Sequence, residues 1–448
     1  MPLFVVPLLA VGALQIIYNY KPLFFLMVAT IPVSLQLEFG STSVDLPSEP
    51  LMLLFLALFL IQLISGRFTD RNQKLYPFHL LIIVILCWTL ITTVTSTHFL
   101  RSFKFLLSKI WYLAAFVFMA GKFIGSPKDI KKMFWAFFIP FFLLVIGVTA
   151  RHAAEGFSFE SAHLISHPIY ANGVIYSTAL ALFIPWCWFA RSWYPGSLQR
   201  YLITGGMIFF MIALVLCYKR GAFLIVAMLP VIFQSIRWKA FDKFLWIGVV
   251  GLPFLVGYLV IDNNFYQFAP NYKTTVWHQD DFEAHLEATF DGTEISGMER
   301  FYRWVAAKNM VAHMPVFGAG PSTFNQVYKK YADAAFRTYV SDNEEQSTTH
   351  NYYLMTFSEQ GFIGGILFLA LCVFMLSKGY RIYHRETDPT RKSMISLALL
   401  SLIVILFQSL LNEMIEVDKV GPMFWLNMVI LHKLEVWQDE RETALEPS

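Results

Sequence analysis

Apolar runs of roughly membrane-spanning length recur from one end of the chain to the other. Short polar turns separate them, and one long polar interruption lies between residues 262 and 351. A helix needs about 20 mostly apolar residues to cross the hydrocarbon of a bilayer. The pattern predicts spans at 3–19, 22–36, 50–66, 78–96, 103–120, 133–149, 169–190, 203–218, 220–236, 243–261, 352–376, 395–412 and 421–436. The first two are short, so 12 or 13 crossings are expected. Most runs have no polar face, which sets them apart from the helices of a soluble protein.

Charge in the short turns gives the orientation, because lysine and arginine collect on the cytoplasmic side. Arg67, Arg71 and Lys74; Lys122, Lys128, Lys131 and Lys132; Arg191 and Arg200; Arg237, Lys239 and Lys243; and Lys378, Arg381, Arg385, Arg391 and Lys392 fall in one set of turns. The alternate set is acidic or mixed, with Glu38, Asp45, Glu49, Arg151, Glu155, Glu160, Glu413, Glu416 and Asp418. The basic set is therefore cytoplasmic. Segment 262–351 then lies outside and the C-terminal tail inside. The expected organisation is an N-terminal transmembrane bundle (1–261), an outer loop domain (262–351), and C-terminal transmembrane helices with a cytoplasmic tail (352–448).

Within the outer segment, Phe301, Trp304, Val305 and Val311 fall on or near one helical face. Pro315, Gly318, Gly320 and Pro321 predict a turn. Ser322 is expected to cap a following helix that carries Phe324, Val327, Tyr328 and Tyr331. These amphipathic helices are expected over the bundle mouth or in the membrane interface.

Composition narrows the function. The chain of 448 residues is 56% hydrophobic and 15% charged, against about 25% charged in soluble domains. A net charge of +3 suggests no nucleic-acid partner. Cys87, Cys187, Cys217 and Cys372 all lie in apolar runs, so no disulfide framework or thiolate metal site is readable. The N-terminus reads as a retained helix, without the basic region or cleavage site of a signal peptide.

Candidate chemistry gathers where polar segments meet apolar ones. His350 stands at the edge of a span, where an imidazole can accept a proton from a hydroxyl; the alternative is a polar start to the helix. Asn351 either orients that ring or a substrate hydroxyl, or begins the helix. Gly361, Gly364 and Gly365 permit close helix approach. Glu359, an acid inside the apolar run, is expected to pair with a basic side chain of a neighbouring helix. Lys219 and Arg220 lie in a tight outer turn against the charge bias. They serve either as a phosphate clamp or as headgroup-snorkelling cations. Arg300 shares a helical face with Trp304, and Arg303 lies nearby; the competing reading for both arginines is surface solvation. Lys109, about one and a half turns into its span, is a weaker phosphate candidate. His163 and His167 have metal-ligand spacing only if helical, and Pro168 disfavours that. The Asp280–Asp281 pair is no metal motif by itself. No metal site and no cofactor are expected.

With these residues in place, the chain resembles the bacterial O-antigen ligase family, whose members share a domain with O-antigen polymerases. The family pattern of His, Asn/Ser/Gln, nine residues and Gly-x-x-Gly-Gly matches His350, Asn351, Gly361, Gly364 and Gly365. Arg-x-x-x-Leu matches Arg220 to Leu224. Arg-x-x-x-Trp followed by Pro-x-x-Gly-x-Gly-Pro matches Arg300, Trp304, Pro315, Gly318, Gly320 and Pro321. The resemblance covers roughly 200–376 well and the earlier spans only in general character.

The resemblance implies a glycosyltransferase of the bacterial inner membrane with its site facing the periplasm. It would move a glycan from undecaprenyl diphosphate to a hydroxyl of lipid A–core, an acceptor in lipopolysaccharide biosynthesis. His350 would be the base, and Arg220 and Arg300 would bind the diphosphate. Asn351, Arg303, Lys219, Trp304 and Lys109 are the expected substrate contacts. Inversion and metal independence are expected. An O-antigen polymerase and a protein O-oligosaccharyltransferase differ in the acceptor. A lipid-linked glycan transporter or flippase, using Lys109, Glu359 and Glu413 for ion coupling, is the reading outside the enzymes.

Overall fold

The structure, a computed structural model, describes residues 19–39, 42–66, 76–269, 295–338, 341 and 347–445. The expected span 3–19 lies almost wholly outside these residues, as do Arg67, Arg71, Lys74 and the Asp280–Asp281 pair. The architecture is an all-α polytopic membrane protein. Nine helices among the described residues are long and apolar enough to cross a bilayer.

In chain order the helices are α1 (Lys21–Thr30), α2 (Ser48–Ile64), α3 (Pro77–Val94), α4 (Phe99–Phe123), α5 (Pro127–Ala154), α6 (Gly173–Ala190), α7 (Leu198–Leu216), α8 (Arg220–Arg237) and α9 (Phe241–Ile261). The outer helix α10 (Ile295–His313) follows, then α11 (Tyr352–Arg385), α12 (Pro389–Gln408) and α13 (Gly421–Leu445). The two shorter apolar helices are Lys21–Val33, which includes a closing 3-10 turn, and α2. The last expected span is present as α13, buried along most of its length with Asn427 and His432 inside. It is an interior helix of the bundle more than a lipid-facing one.

The expected span 22–36 ends early. After Val33 the chain forms a hairpin, β1 (Leu35–Phe39) with β2 (Thr42–Leu46), antiparallel with Leu35 opposite Leu46. Alternation of Leu35, Leu37 and Phe39 is the strand signal there. Lys419 anchors this hairpin by donating to the Ser34 carbonyl at 2.6 Å and pairing with Asp45 at 3.1 Å. Aromatic packing fills the bundle centre, where the Phe137 and Phe183 rings stack at 4.6 Å. Helix association in lipid rests on such close packing and on interhelical hydrogen bonds.

The two ends of the bundle differ. At one end lie the turn after α3, the start of α8, the turn after α12 and the outer segment, joined by bonds such as Thr97 N–H to the Ala319 carbonyl (2.9 Å) and Tyr352 N–H to the Ser409 carbonyl (2.8 Å). At the other end are basic side chains in ion pairs, including Lys378–Glu435 at 2.6 Å and Arg385–Asp439 at 2.9 Å.

The outer segment has its own small core of Tyr302, Val305, Ala306, Met310, Phe324, Tyr328 and Phe336. The buried face of α10 is therefore rotated from the expected one. Phe301 flanks the core, and Tyr302 and Met310 fill it. The face expected for the following turn holds, with Phe324, Val327 and Tyr328 buried.

Candidate functional site

The site is organised by a break in α11. Gly361 has φ 69° and ψ −175°, so the 34-residue element is two helices meeting at an angle. A continuous helix would bond the carbonyls of Ser358, Glu359 and Gln360 internally. Here Ala319 N–H takes Ser358 (3.0 Å), Gly320 N–H takes Glu359 (2.8 Å), and the Trp88 indole takes Gln360 (2.9 Å). The freed Phe362 N–H donates to the Pro315 carbonyl at 2.8 Å. Every backbone group released by the break named here has a partner, as apolar surroundings demand. The Pro315–Pro321 turn and the glycine cluster, two separate motifs in the sequence, are thus one junction.

Gly361 is required twice over. Its φ lies in the left-handed region, and an added Cβ would stand 1.9 Å from the Val316 carbonyl oxygen. At Gly318, with φ 67°, a Cβ would stand 2.4 Å from the Glu359 carbonyl carbon. The expected helix-approach role is corrected for two of the glycines, since Gly361 turns the chain and Gly365 leaves room for the Phe357 ring, and it holds for Gly364, where an added Cβ would lie 3.1 Å from the Trp88 indole nitrogen of α3.

Glu359 also departs from expectation. Its carboxylate accepts from the backbone N–H of Ser322 (2.8 Å) and Phe324 (2.9 Å), in place of a basic side chain. It caps the short turn Phe324–Val327, so Ser322 is not the capping side chain expected.

The first part of α11 presents His350. Asn351 is the N-cap, its Oδ1 accepting from Leu354 N–H at 3.0 Å. The Trp304 indole donates to the Thr349 carbonyl at 3.0 Å. Between these fixed neighbours His350 has φ 51°, a conformation costing of order 1–3 kcal/mol and found where the surroundings over-determine the backbone. Its Nδ1 lies 3.2 Å from Asn412 Oδ1. The imidazole is held below its ordinary pKa of 6.5, chiefly by burial. Glu413 pulls the other way, while Arg300 and Arg303 add to the lowering. The two outer-helix arginines are therefore electrostatic neighbours of His350.

Arg303 is buried and pairs with Glu299 at 3.4 Å. Glu299 also accepts from Ser341 Oγ at 2.6 Å and from the Thr338 hydroxyl. Arg220 begins α8. Gly221 beside it has no side chain, which lets α8 start against Leu411 and Gln408; a Cβ there would lie 2.6 Å from Leu411. That same turn carries Asn412, whose N–H donates to the Gln408 carbonyl at 2.9 Å.

Lys219 Nζ lies 2.8 Å from His163 Nδ1. Burial pushes its pKa down to about 8, Cys217 opposes, and Arg220 adds to the lowering. His163 and His167 do not share a helix: His163 ends the turn Ser161–His163, and the His167 carbonyl accepts from Arg151 at 2.8 Å.

Lys109 lies near the start of α11 but is engaged there. Its Nζ is 2.5 Å from Glu416 Oε1, and Glu416 also accepts from the Tyr352 hydroxyl. Of the expected site residues, Arg300 and Arg303 act electrostatically on His350, and Arg220 starts beside the Asn412 turn. Asn351 and Trp304 hold the backbone around His350, and Lys219 meets His163. Sequence reasoning missed Asn412 as the imidazole's partner. Its only signal was a polar pair, Asn412-Glu413, directly after an apolar run.

These features define a multi-pass membrane protein with a broken helix and a cationic, histidine-bearing site at one mouth of its bundle. The family model described as O-antigen ligase matches residues 205–369, from within α7 to just past the glycine junction of α11. The match bears out the resemblance to the O-antigen ligase family, and it contains Arg220, Arg300, Arg303, Trp304, His350 and Gly361. No curated protein matches the chain.

Proposed function

We propose that this protein transfers a glycan from undecaprenyl diphosphate to an acceptor hydroxyl of lipid A–core, at the periplasmic face of the bacterial inner membrane. The observation that carries this reading is the match of residues 205–369, which contain Arg220, Arg300 and His350, to the O-antigen ligase family, with Arg300 and Arg303 contributing to the electrostatic surroundings of the imidazole. The basic turns at the opposite end support a periplasmic mouth. In this reading residues 1–261 form a membrane scaffold, 262–351 an outer domain that supplies arginines, and 352–448 the part that presents the base.

The reaction is a single displacement. The acceptor O–H gives its proton to His350 as its oxygen forms a bond to the anomeric carbon. The bond from that carbon to the diphosphate oxygen breaks, and the leaving group keeps the electron pair. Attack opposite the leaving group inverts the anomeric centre. Arg220 and Arg300 face the charge growing on the diphosphate, and preorganised charge of this kind is often the largest part of a rate enhancement. Bidentate guanidinium contacts suit phosphate oxygens, and they are assigned the neutralising role that a divalent metal has elsewhere.

The polymerase reading shares every step and differs in the acceptor, a second carrier-linked glycan. The test supplies purified protein in vesicles with lipid-linked glycan and, in turn, lipid A–core, carrier-linked glycan or a protein acceptor, each with a metal chelator present. The proposal expects a glycosidic product on lipid A–core, undiminished by the chelator. Product only on carrier-linked glycan would make it a polymerase. Lipid flux without a glycosidic product would make it a transporter.

A further inference from the structure

The end of α12 and the turn that follows it meet the start of α11 through several bonds. Tyr352 N–H donates to the Ser409 carbonyl at 2.8 Å, and the Tyr353 hydroxyl donates to the Leu406 carbonyl at 3.0 Å. The buried Thr349 hydroxyl lies 3.2 Å from Glu413 Oε1, and His350 Nδ1 lies 3.2 Å from Asn412 Oδ1. This turn is rigidly seated against the candidate base, and two consecutive side chains from it approach the ring and the residue before it.

An amide oxygen has no proton to give. The contact between Asn412 Oδ1 and His350 Nδ1 is a hydrogen bond only when Nδ1 carries the hydrogen. The neutral ring then has its lone pair on Nε2. A base that rotates freely, or holds the wrong tautomer, loses most of its value.

The charge environment needs a second group. Proton abstraction turns the neutral ring into an imidazolium beside two guanidiniums, Arg300 and Arg303 of α10. Among the described residues, Glu413 makes the largest charge contribution favouring the protonated ring of His350. Glu416, further along the same turn, is already matched by Lys109 of α4, and α8 begins at the same mouth with the cation Arg220. Among the described residues, Glu413 is the carboxylate that most favours the imidazolium, while Glu299 is committed to Arg303.

We propose that Asn412 and Glu413 are the positioning pair for His350: Asn412 fixes the hydrogen on Nδ1 so that Nε2 is the basic atom, and Glu413 balances the imidazolium formed when the acceptor hydroxyl gives up its proton. The proton moves from the acceptor oxygen to Nε2. It leaves to solvent after the diphosphate departs, which returns the ring to its starting tautomer. Neither residue touches substrate; both act through His350. The inference rests on His350 being the base.

The experiment measures kcat and donor KM against pH for the full-length protein in vesicles carrying lipid-linked glycan and acceptor. The variants are Asn412→Asp, Asn412→Leu and Glu413→Gln. Asn412→Asp keeps the acceptor atom and adds charge, so the acid limb of kcat moves up by roughly one to two pH units while activity persists above it. Asn412→Leu lowers kcat by about tenfold or more with donor KM unchanged. Glu413→Gln moves the acid limb down and lowers the plateau.

Acid limbs of Asn412→Asp and Glu413→Gln that coincide with that of the unmodified protein would overturn the proposal. So would wild-type kcat in Asn412→Leu. Asn412→Asp is nearly isosteric, so it keeps the test decisive where the leucine variant does not fold. His350→Ala in the same assay separates the two levels. If it keeps near-normal turnover, the base reading fails. If it is inactive while the Asn412 and Glu413 variants behave as the unmodified protein, only the present inference fails.

Discussion

In the proposed mechanism the proton transfer falls to one ring, that of His350, and its surroundings decide what the ring can do. Burial and the two α10 arginines lower its pKa from 6.5. A base must be neutral to accept a proton, and the lowered pKa favours the neutral, active form of the ring at neutral pH. Activity is therefore expected to fall as the pH drops through a value below 6.5. Arg300→Ala removes a positive neighbour, so it raises the imidazole pKa, moves the acid limb upward and lowers turnover as well. A pH–rate profile of both proteins checks this. An acid limb of the unmodified protein centred above 6.5, or an Arg300→Ala limb moved downward, would contradict it. At this scale the sequence made His350, Arg220 and Arg300 readable, because each sits in a spaced motif at the edge of a span. It hid Asn412, 62 residues from His350, since only the fold brings the end of α12 to the start of α11. Lys109 was legible as a cation near the site, but not its partner Glu416, which reads in sequence as one more acid of an outer turn.

Among the elements, α11 shows how local sequence was read correctly in position and wrongly in purpose. The glycine cluster was visible, and glycines in a membrane helix commonly mean close packing. The structure uses Gly361 to end one helix and begin another, with the Pro315–Pro321 turn filling the gap. Nothing within the cluster itself distinguishes the two uses; the partner turn lies some 40 residues earlier in the chain. Glu359 is similar: an acid in an apolar run was rightly singled out, but its partners are backbone N–H groups, which no sequence pattern advertises. The hairpin of Leu35–Leu46 was missed because its alternating apolar residues merged with the preceding apolar run. A specific consequence belongs here. Gly361→Ala must strain φ and push the Val316 carbonyl away, so it destabilises the protein by about 2 kcal/mol or more. Reversible unfolding in detergent reads this directly. A variant as stable as the unmodified protein would show that the break is not held as described.

Taken as a whole, the molecule separates by charge along its length. Ion pairs of basic turns close one end, and the other gathers the outer domain, the start of α8 and the turn after α12 around His350. Hydropathy made the membrane architecture legible because each span must satisfy its backbone internally, and that requirement leaves long apolar runs. It was less informative about α13, whose polar residues and interior position reflect neighbours and not lipid. The composite site exists only because four separate parts of the chain meet at one mouth, which explains why motifs pointed to its residues without revealing their contacts. The measurement that tests the central claim most directly is transfer from lipid-linked glycan by purified His350→Ala in vesicles, beside the unmodified protein, with donor binding measured on both. The account predicts intact donor binding and a fall in turnover of roughly 10² to 10⁴. Near-normal turnover by the alanine variant would contradict it.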